Sequence, residues 1–308
     1  MKKKTAVAIA IIFAFCLVSG CKTRTLTGNN GGGETPGNNI QLDNWAWALT
    51  DGNYETAGRK LAAIEYMSPD TLGELAIAVG PNTLANVEFQ GQKEGNSSGD
   101  DFYYYPIFEN MTGPFWSLAI NESLPTGSNY YIIVPAPFKD ALIGFEPSSE
   151  ENNNEWGFDD NHGHPGADAA NTATIQSMYP DRMVRSTELL ATDSSGGNVS
   201  LYQFENKDNG MFVLAYINGD KVVVSEYETG LWGGEAVWRA DAEGDNICLF
   251  EVAMIAQTGS GTMLATVWYG PEGADLSLLQ QNEGVFEAIP SRWLYDLWGN
   301  EYYEDSGN

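Results

Sequence analysis

Two runs decide how this chain reads: Met211-Phe212-Val213-Leu214-Ala215-Tyr216-Ile217 and Asp220-Lys221-Val222-Val223-Val224-Ser225-Glu226-Tyr227-Glu228, joined at Asn218-Gly219. Both are rich in β-branched and aromatic residues, which suit a pleated, half-buried strand. Asn-Gly between two such runs is the strongest short hairpin signal, because both residues tolerate the positive φ of a type I′ turn. Working outward, strands are expected at 187–192, 198–205, 235–240, 246–257 and 262–269. Asp208-Asn209-Gly210 and Gly259-Ser260-Gly261 read as turns. Consecutive tight hairpins force an antiparallel meander.

Upstream, Phe102–Phe108, Pro114–Ile120, Tyr130–Val134 and Ala141–Phe145 read as further strands. Two helices are expected before them. One runs through Ala57, Leu61, Ala62, Ile64 and Glu65, capped by Asp51 or Asn53. The other starts at Ser68-Pro69-Asp70, carries Leu72, Leu75, Ala76 and Val79, and stops at Gly80-Pro81. Short helices are expected over Ala169–Met178 and after Pro290, the latter with Ser291 as cap and Trp293, Leu294, Leu297 and Trp298 on one side. The fold class is therefore α+β, dominated by an antiparallel β-meander with a few helices. Phe108-Glu109-Asn110 followed by Leu118-Ala119-Ile120-Asn121 parallels Phe204-Glu205-Asn206 followed by Leu214-Ala215-Tyr216-Ile217-Asn218. That parallel leaves open two similar helix-plus-sheet halves. The chain divides into residues 1–20, a Gly/Asn tether over 21–39, an α+β part over 40–146, an acidic Asn/Asp/Gly-rich loop or linker over 147–172, and a β-rich part over 173–308.

The chain has 308 residues, Lys+Arg 15 against Asp+Glu 42, and a formal net charge of -27. That balance excludes a nucleic-acid binder, which needs clustered Lys and Arg at phosphates. It also argues against docking on anionic lipid through a basic face. The apolar fraction of 43% is that of a chain that folds.

The N-terminus opens with Lys2-Lys3-Lys4, continues as an unbroken apolar run from Ala6 to Val18, and ends in Leu17-Val18-Ser19-Gly20-Cys21. The run is too short to span a bilayer core as a helix, which takes about 20 apolar residues. Basic start and short apolar run together read as a secretory signal. The stretch resembles the signal peptide and lipobox of bacterial lipoproteins, in which a small residue precedes an obligatory Cys. The resemblance implies cleavage before Cys21 and lipidation of its sulfur, so that the protein meets the membrane through a lipid anchor. Lys22-Thr23-Arg24 follows, without the Asp that holds such lipoproteins at the inner membrane. An outer-membrane protein facing the periplasm is implied, with surface exposure left open. Gly28-Asn29-Asn30-Gly31-Gly32-Gly33 then serves as a flexible spacer. Cys16 leaves with the signal, so Cys248 stands alone in the mature chain and reads as a small core residue.

Chemistry-bearing residues are sparse. The two His lie in His162-Gly163-His164, with Asp159, Asp160 and Asp168 nearby. Two imidazoles and a carboxylate are a ligand set for a divalent metal ion such as Zn, Ni or Cu; the competing reading is a solvated polar loop. Asp241-Ala242-Glu243-Gly244-Asp245 alternates acids as a calcium loop does, but lacks the following Gly and the twelfth-position Glu. Among the aromatic clusters, Trp232, Trp293 and Trp298 are candidates to stack on a sugar ring, against the plainer reading that they fill sheet faces. No Gly-x-Ser-x-Gly, His-Glu-x-x-His or Cys-x-x-Cys stands in the sequence. The expectation is a non-catalytic binding or scaffolding lipoprotein of the cell envelope, with a protein or glycan ligand. The alternative is a metal- or carboxylate-dependent hydrolase of envelope polysaccharide.

Overall fold

The computed structural model describes residues 40, 42–50, 60–63, 68–81, 83–94, 114–120, 130–148, 165–232, 235–237, 250–270 and 273–294. The first six strands are β1 (Ala46–Thr50), β2 (Lys60–Ala63), β3 (Leu75–Gly80), β4 (Thr83–Glu94), β5 (Pro114–Ile120) and β6 (Tyr130–Pro135). They close into an antiparallel barrel in the order β1-β2-β5-β4-β3-β6. Period-two alternation sends Ala48, Leu61, Leu118, Tyr131 and Ile133 into the barrel. Helix α1 (Pro69–Glu74) packs Leu72 into the same interior. Ser68 caps it, accepting the Thr71 N–H at 3.1 Å.

A 3-10 turn, Ala136–Ala141, leads to the second sheet. That sheet contains β7 (Leu142–Ile143), β8 (Phe145–Pro147), β9 (Val184–Asp193), β10 (Asn198–Phe204), β11 (Gly210–Asn218), β12 (Lys221–Trp232), β13 (Glu235–Val237), β14 (Phe250–Thr258), β15 (Gly261–Gly270), β16 (Gly273–Asn282) and β17 (Val285–Leu294). Two four-stranded meanders, β9 to β12 and β14 to β17, meet where β12 and β17 pair in parallel at Val224 and Val285. The segment 142–147 bridges the outer edges. Ile143 pairs with Ile255 of β14, and four residues on Pro147 pairs with Ala191 of β9. The sheet thus curls round an inner face that buries Leu190, Leu201, Leu214, Val252, Leu264 and Phe286.

The outer faces are covered as well. Helix α2 (Ala169–Met178) lays Ile175 against Tyr202, Phe204 and Val213 on the outside of β10 and β11. The two sheets pack against each other through Trp47, Ile77, Ile132 and Val134 from the barrel and Met254, Met263, Ala265 and Leu278 from the second sheet. Phe138 of the 3-10 turn joins that layer. The chain passes from the barrel to the second sheet through the 3-10 turn at residues 136–141.

Antiparallel strands dominate as expected, and the Pro114–Ile120 strand and the Ala169–Met178 helix have the expected bounds. Helices are few and short, so mostly-β describes the fold better than α+β. Four local expectations are corrected. Lys60–Ala63, expected in a helix, is a strand, because Leu61 and Ala63 alternate into the barrel. The helix begun at Ser68 stops at Glu74, and the continuous apolar run Leu75–Gly80, equally compatible with a buried strand, forms β3. Pro290 and Ser291, expected to start a helix, lie in β17 at a bulge opposite Ser277, one of the few sheet positions that tolerate Pro. At the leading hairpin, Asn218 pairs with Lys221, so the loop is Gly219-Asp220. Only Gly219 has a positive φ, 58°, which matches a II′-like turn rather than I′. Strand β16 was not expected. The two sheets also differ in strand number and order, so the chain is not two similar halves; Phe108-Glu109-Asn110 lies outside the described residues.

Leu278 is fully buried in the layer between the sheets. Leu278→Ala is expected to lower unfolding free energy by about 2–5 kcal/mol, read by chemical denaturation.

Candidate functional site

The two ends of the second sheet differ. At one end the strands are joined by the tight turns 194–197, 219–220, 259–260 and 283–284. At the other end lie the strand ends to which residues 149–164, 238–249 and 271–272 attach.

The tight-turn end is sealed by a satisfied polar network. Asp193 is 4% exposed. Its Oδ1 accepts the N–H groups of Ser195 and Gly197, both at 2.8 Å, and the Ser195 hydroxyl at 2.7 Å. Its Oδ2 accepts the Tyr216 hydroxyl at 2.6 Å. Burial pushes the Asp193 carboxyl up, but these donors outweigh it and hold it below the usual carboxylate range. The Tyr216 hydroxyl is pushed up to about 12, by burial first and then by the carboxylate it serves. Lys221 Nζ donates to Thr262 Oγ1 at 2.6 Å and to Gln257 Oε1 at 3.2 Å, and sits 5.7 Å from the Tyr216 ring centroid. Every charge here has partners, which is the condition of a structural plug.

The opposite end holds a carboxyl with none. Glu188 of β9 stands opposite Leu201 of β10, a pair that shares the inner face. Its Oε2 is buried and without a hydrogen-bond partner. Burial alone raises its carboxyl from 4.5 to about 7. Gln203 continues the inner face of β10 opposite Phe212, and Ser186 donates to its Oε1 at 2.9 Å. Phe212 pairs with Tyr227, and Phe250 with Trp268; all four rings belong to the inner core. Trp268 stands opposite Asp275 of β16, which places a second acid on the same face and end. Because 142–147 pairs with both outer strands, β14 and β9 flank it on either side, and Phe250 of β14 shares the inner core with Leu190 of β9. A carboxyl poised to change charge near neutrality, beside an amide and aromatic faces, is suited to recognising a ligand or to handling a proton.

No protein-family model, curated protein or solved structure matches this chain.

Of the residues singled out in the sequence, Cys21, Asp159, Asp160, His162, His164, Cys248 and Trp298 lie outside the described residues. Asp168 caps α2, its Oδ1 accepting the Asn171 N–H at 2.8 Å. Among the described residues no three His, Cys, Asp or Glu are grouped to hold a metal ion. Trp232 stands opposite Glu235, and Trp293 opposite Asp275. Sequence reasoning missed Glu188. Its signal is a charged residue in Thr187-Glu188-Leu189-Leu190, and only the pairing of Glu188 with Leu201 shows that it faces inward.

The two carboxyls predict opposite pH responses. Between 4.5 and about 7, folded Glu188 keeps a proton that the unfolded chain has released, so its contribution weakens stability as pH rises through that window. Glu188→Gln is expected to flatten this fall and to raise the melting temperature at pH 8 relative to the parent. Asp193 is held low, so its contribution is present above the unfolded carboxylate range and is lost as pH falls through its folded value. Asp193→Asn is expected to destabilise most at neutral pH and least in acid. Melting curves from pH 3 to pH 9 check both.

Proposed function

We propose that the protein is a lipid-anchored component of a bacterial cell envelope that binds a small ligand or glycan element, without turnover, at the Glu188 end of its second sheet. The single observation that carries the binding reading is the buried, unpartnered Glu188 Oε2 on a face shared with aromatic rings. Leaving a buried polar atom unpaired costs about 1–3 kcal/mol, and a binding site is one place where that cost is recovered when the ligand arrives. The anchor rests on the lipobox, Leu17 to Cys21, with the outer membrane as its destination. Among the described residues no helix is long and apolar enough to cross a membrane. Several acyl chains on one cysteine are enough for stable attachment.

The second reading, a carboxylate-dependent hydrolase of envelope polysaccharide, draws on the same end. A carboxyl still protonated near neutrality is what a general acid needs, and Asp275 supplies a second acid.

Two measurements test the proposal. Metabolic labelling with radioactive palmitate is expected to mark the parent, Cys16→Ser and Cys248→Ser, and to fail in Cys21→Ser; label retained in Cys21→Ser overturns the anchor. Soluble envelope glycan fragments and small organic probes, dialysed to equilibrium against the full chain in neutral-detergent micelles, are expected to include ligands that are retained and recovered unchanged. Retention of none defeats the binding reading, and recovery of cleaved glycan moves the assignment to the hydrolase.

A further inference from the structure

Ionised Glu188 is a half-buried anion whose Oε2 is out of water and has no hydrogen-bond partner. Three classes of group can compensate such a charge: a hydrated metal ion, a resident cationic side chain, or a cation carried by a ligand. A hard metal ion needs six or more oxygen ligands, or a constrained octahedron. The inner face around Glu188 offers Leu201, Leu190 and Phe250 instead, and no three metal-ligating side chains are grouped among the described residues. No charged neighbour contributes to the displacement of the Glu188 carboxyl, which burial alone explains, and among the described residues no cation is paired with it. Lys221, the inner-face cation of β12, is committed at the tight-turn end to Thr262 and Gln257.

What does surround this end is aromatic. Phe212, Tyr227, Phe250 and Trp268 share the inner core. Ring faces attract an organic ammonium through their quadrupoles, and that attraction grows once the cation is stripped of water. Asp275, opposite Trp268, adds negative charge to the same face. The formal net charge of -27 raises the local concentration of cations before contact.

We infer that the inner face around Glu188 binds an organic ammonium with an apolar body, the carboxylate pairing with the cationic nitrogen and the rings of Phe250 and Trp268 flanking it. This deepens the binding reading above and rests on it.

The test uses the full chain in neutral-detergent micelles at pH 8.5 and 150 mM salt, where Glu188 is ionised. Isothermal titration compares three probes: benzyltrimethylammonium, neutral benzyl alcohol and anionic phenylmethanesulfonate. The first carries a permanent charge, so its own protonation does not enter. Benzyltrimethylammonium is expected to bind at least tenfold more tightly than the neutral probe. Glu188→Gln and the apolar Glu188→Met are both expected to abolish that preference. Each removes one charge of a large excess and leaves bulk attraction in place. Two variants of different polarity keep the comparison valid if one of them folds poorly. Equal binding of the neutral and cationic probes, or a preference that survives in both variants, overturns the inference while leaving a binding site in place. Failure of all three probes to bind overturns the inference and counts against the binding reading itself.

Discussion

The segment Leu142–Pro147 is the constraint on which the second sheet depends. Among the described residues the two four-stranded meanders pair directly at one seam, Val224 with Val285, where a parallel pair is held by the bond from the Val224 N–H to the Gly284 carbonyl at 3.1 Å. On the far side, 142–147 pairs with β14 through one half and with β9 through the other. The carbonyl of Gly144, between the halves, accepts the Ser194 N–H at 2.7 Å. Without that bridge, β9 and β14 would each present a row of unpaired backbone groups. With it, the sheet curls, and residues on alternate positions of eight long strands share one interior.

That interior treats two carboxyls in opposite ways. Asp193 and Glu188 belong to the same strand and both face away from bulk water, yet one is held low and the other raised to about 7. The difference lies in donors. Asp193 sits where the chain turns, and a turn exposes backbone N–H groups that Ser195 and Gly197 aim at it. Glu188 sits mid-strand beside a Leu189 N–H that is spent on the Pro165 carbonyl at 2.8 Å, and the neighbouring side chains are Leu201 and Leu190. Position along one strand thus decides which acid is structural and which is left to meet something else. The packing layer between the sheets keeps this arrangement rigid, with Trp47, Ile132 and Leu278 closing it from the barrel side and from β16.

The sequence disclosed this unevenly. The meander from β9 to β15 was legible because Gly, Asn and Ser punctuate runs of β-branched and aromatic residues at short intervals. The upstream barrel was less so. Leu75–Gly80 fits a helix and a buried strand equally, and only pairing with β4 and β6 settles it. Leu61 and Ala63 read as helical for the same reason. Pro290 suggested a helix start because a bulge looks, in sequence, like a cap. The candidate site was hidden for a different reason. An acid among 42 carries no mark of its own, and Glu188 became distinctive only when its cross-strand partner proved to be Leu201.

Binding, rather than merely scaffolding, follows if Glu188 lies on a dry inner face with nothing to pair with. The measurement that tests this most directly is a pH titration of the Glu188 side-chain carboxyl by carbon-detected NMR, assigned by comparison with Glu188→Gln. A midpoint near 7 is expected. A midpoint at the ordinary value of 4.5 would mean that the carboxyl is solvated or already paired, and would contradict both the inward register of β9 and the site built on it.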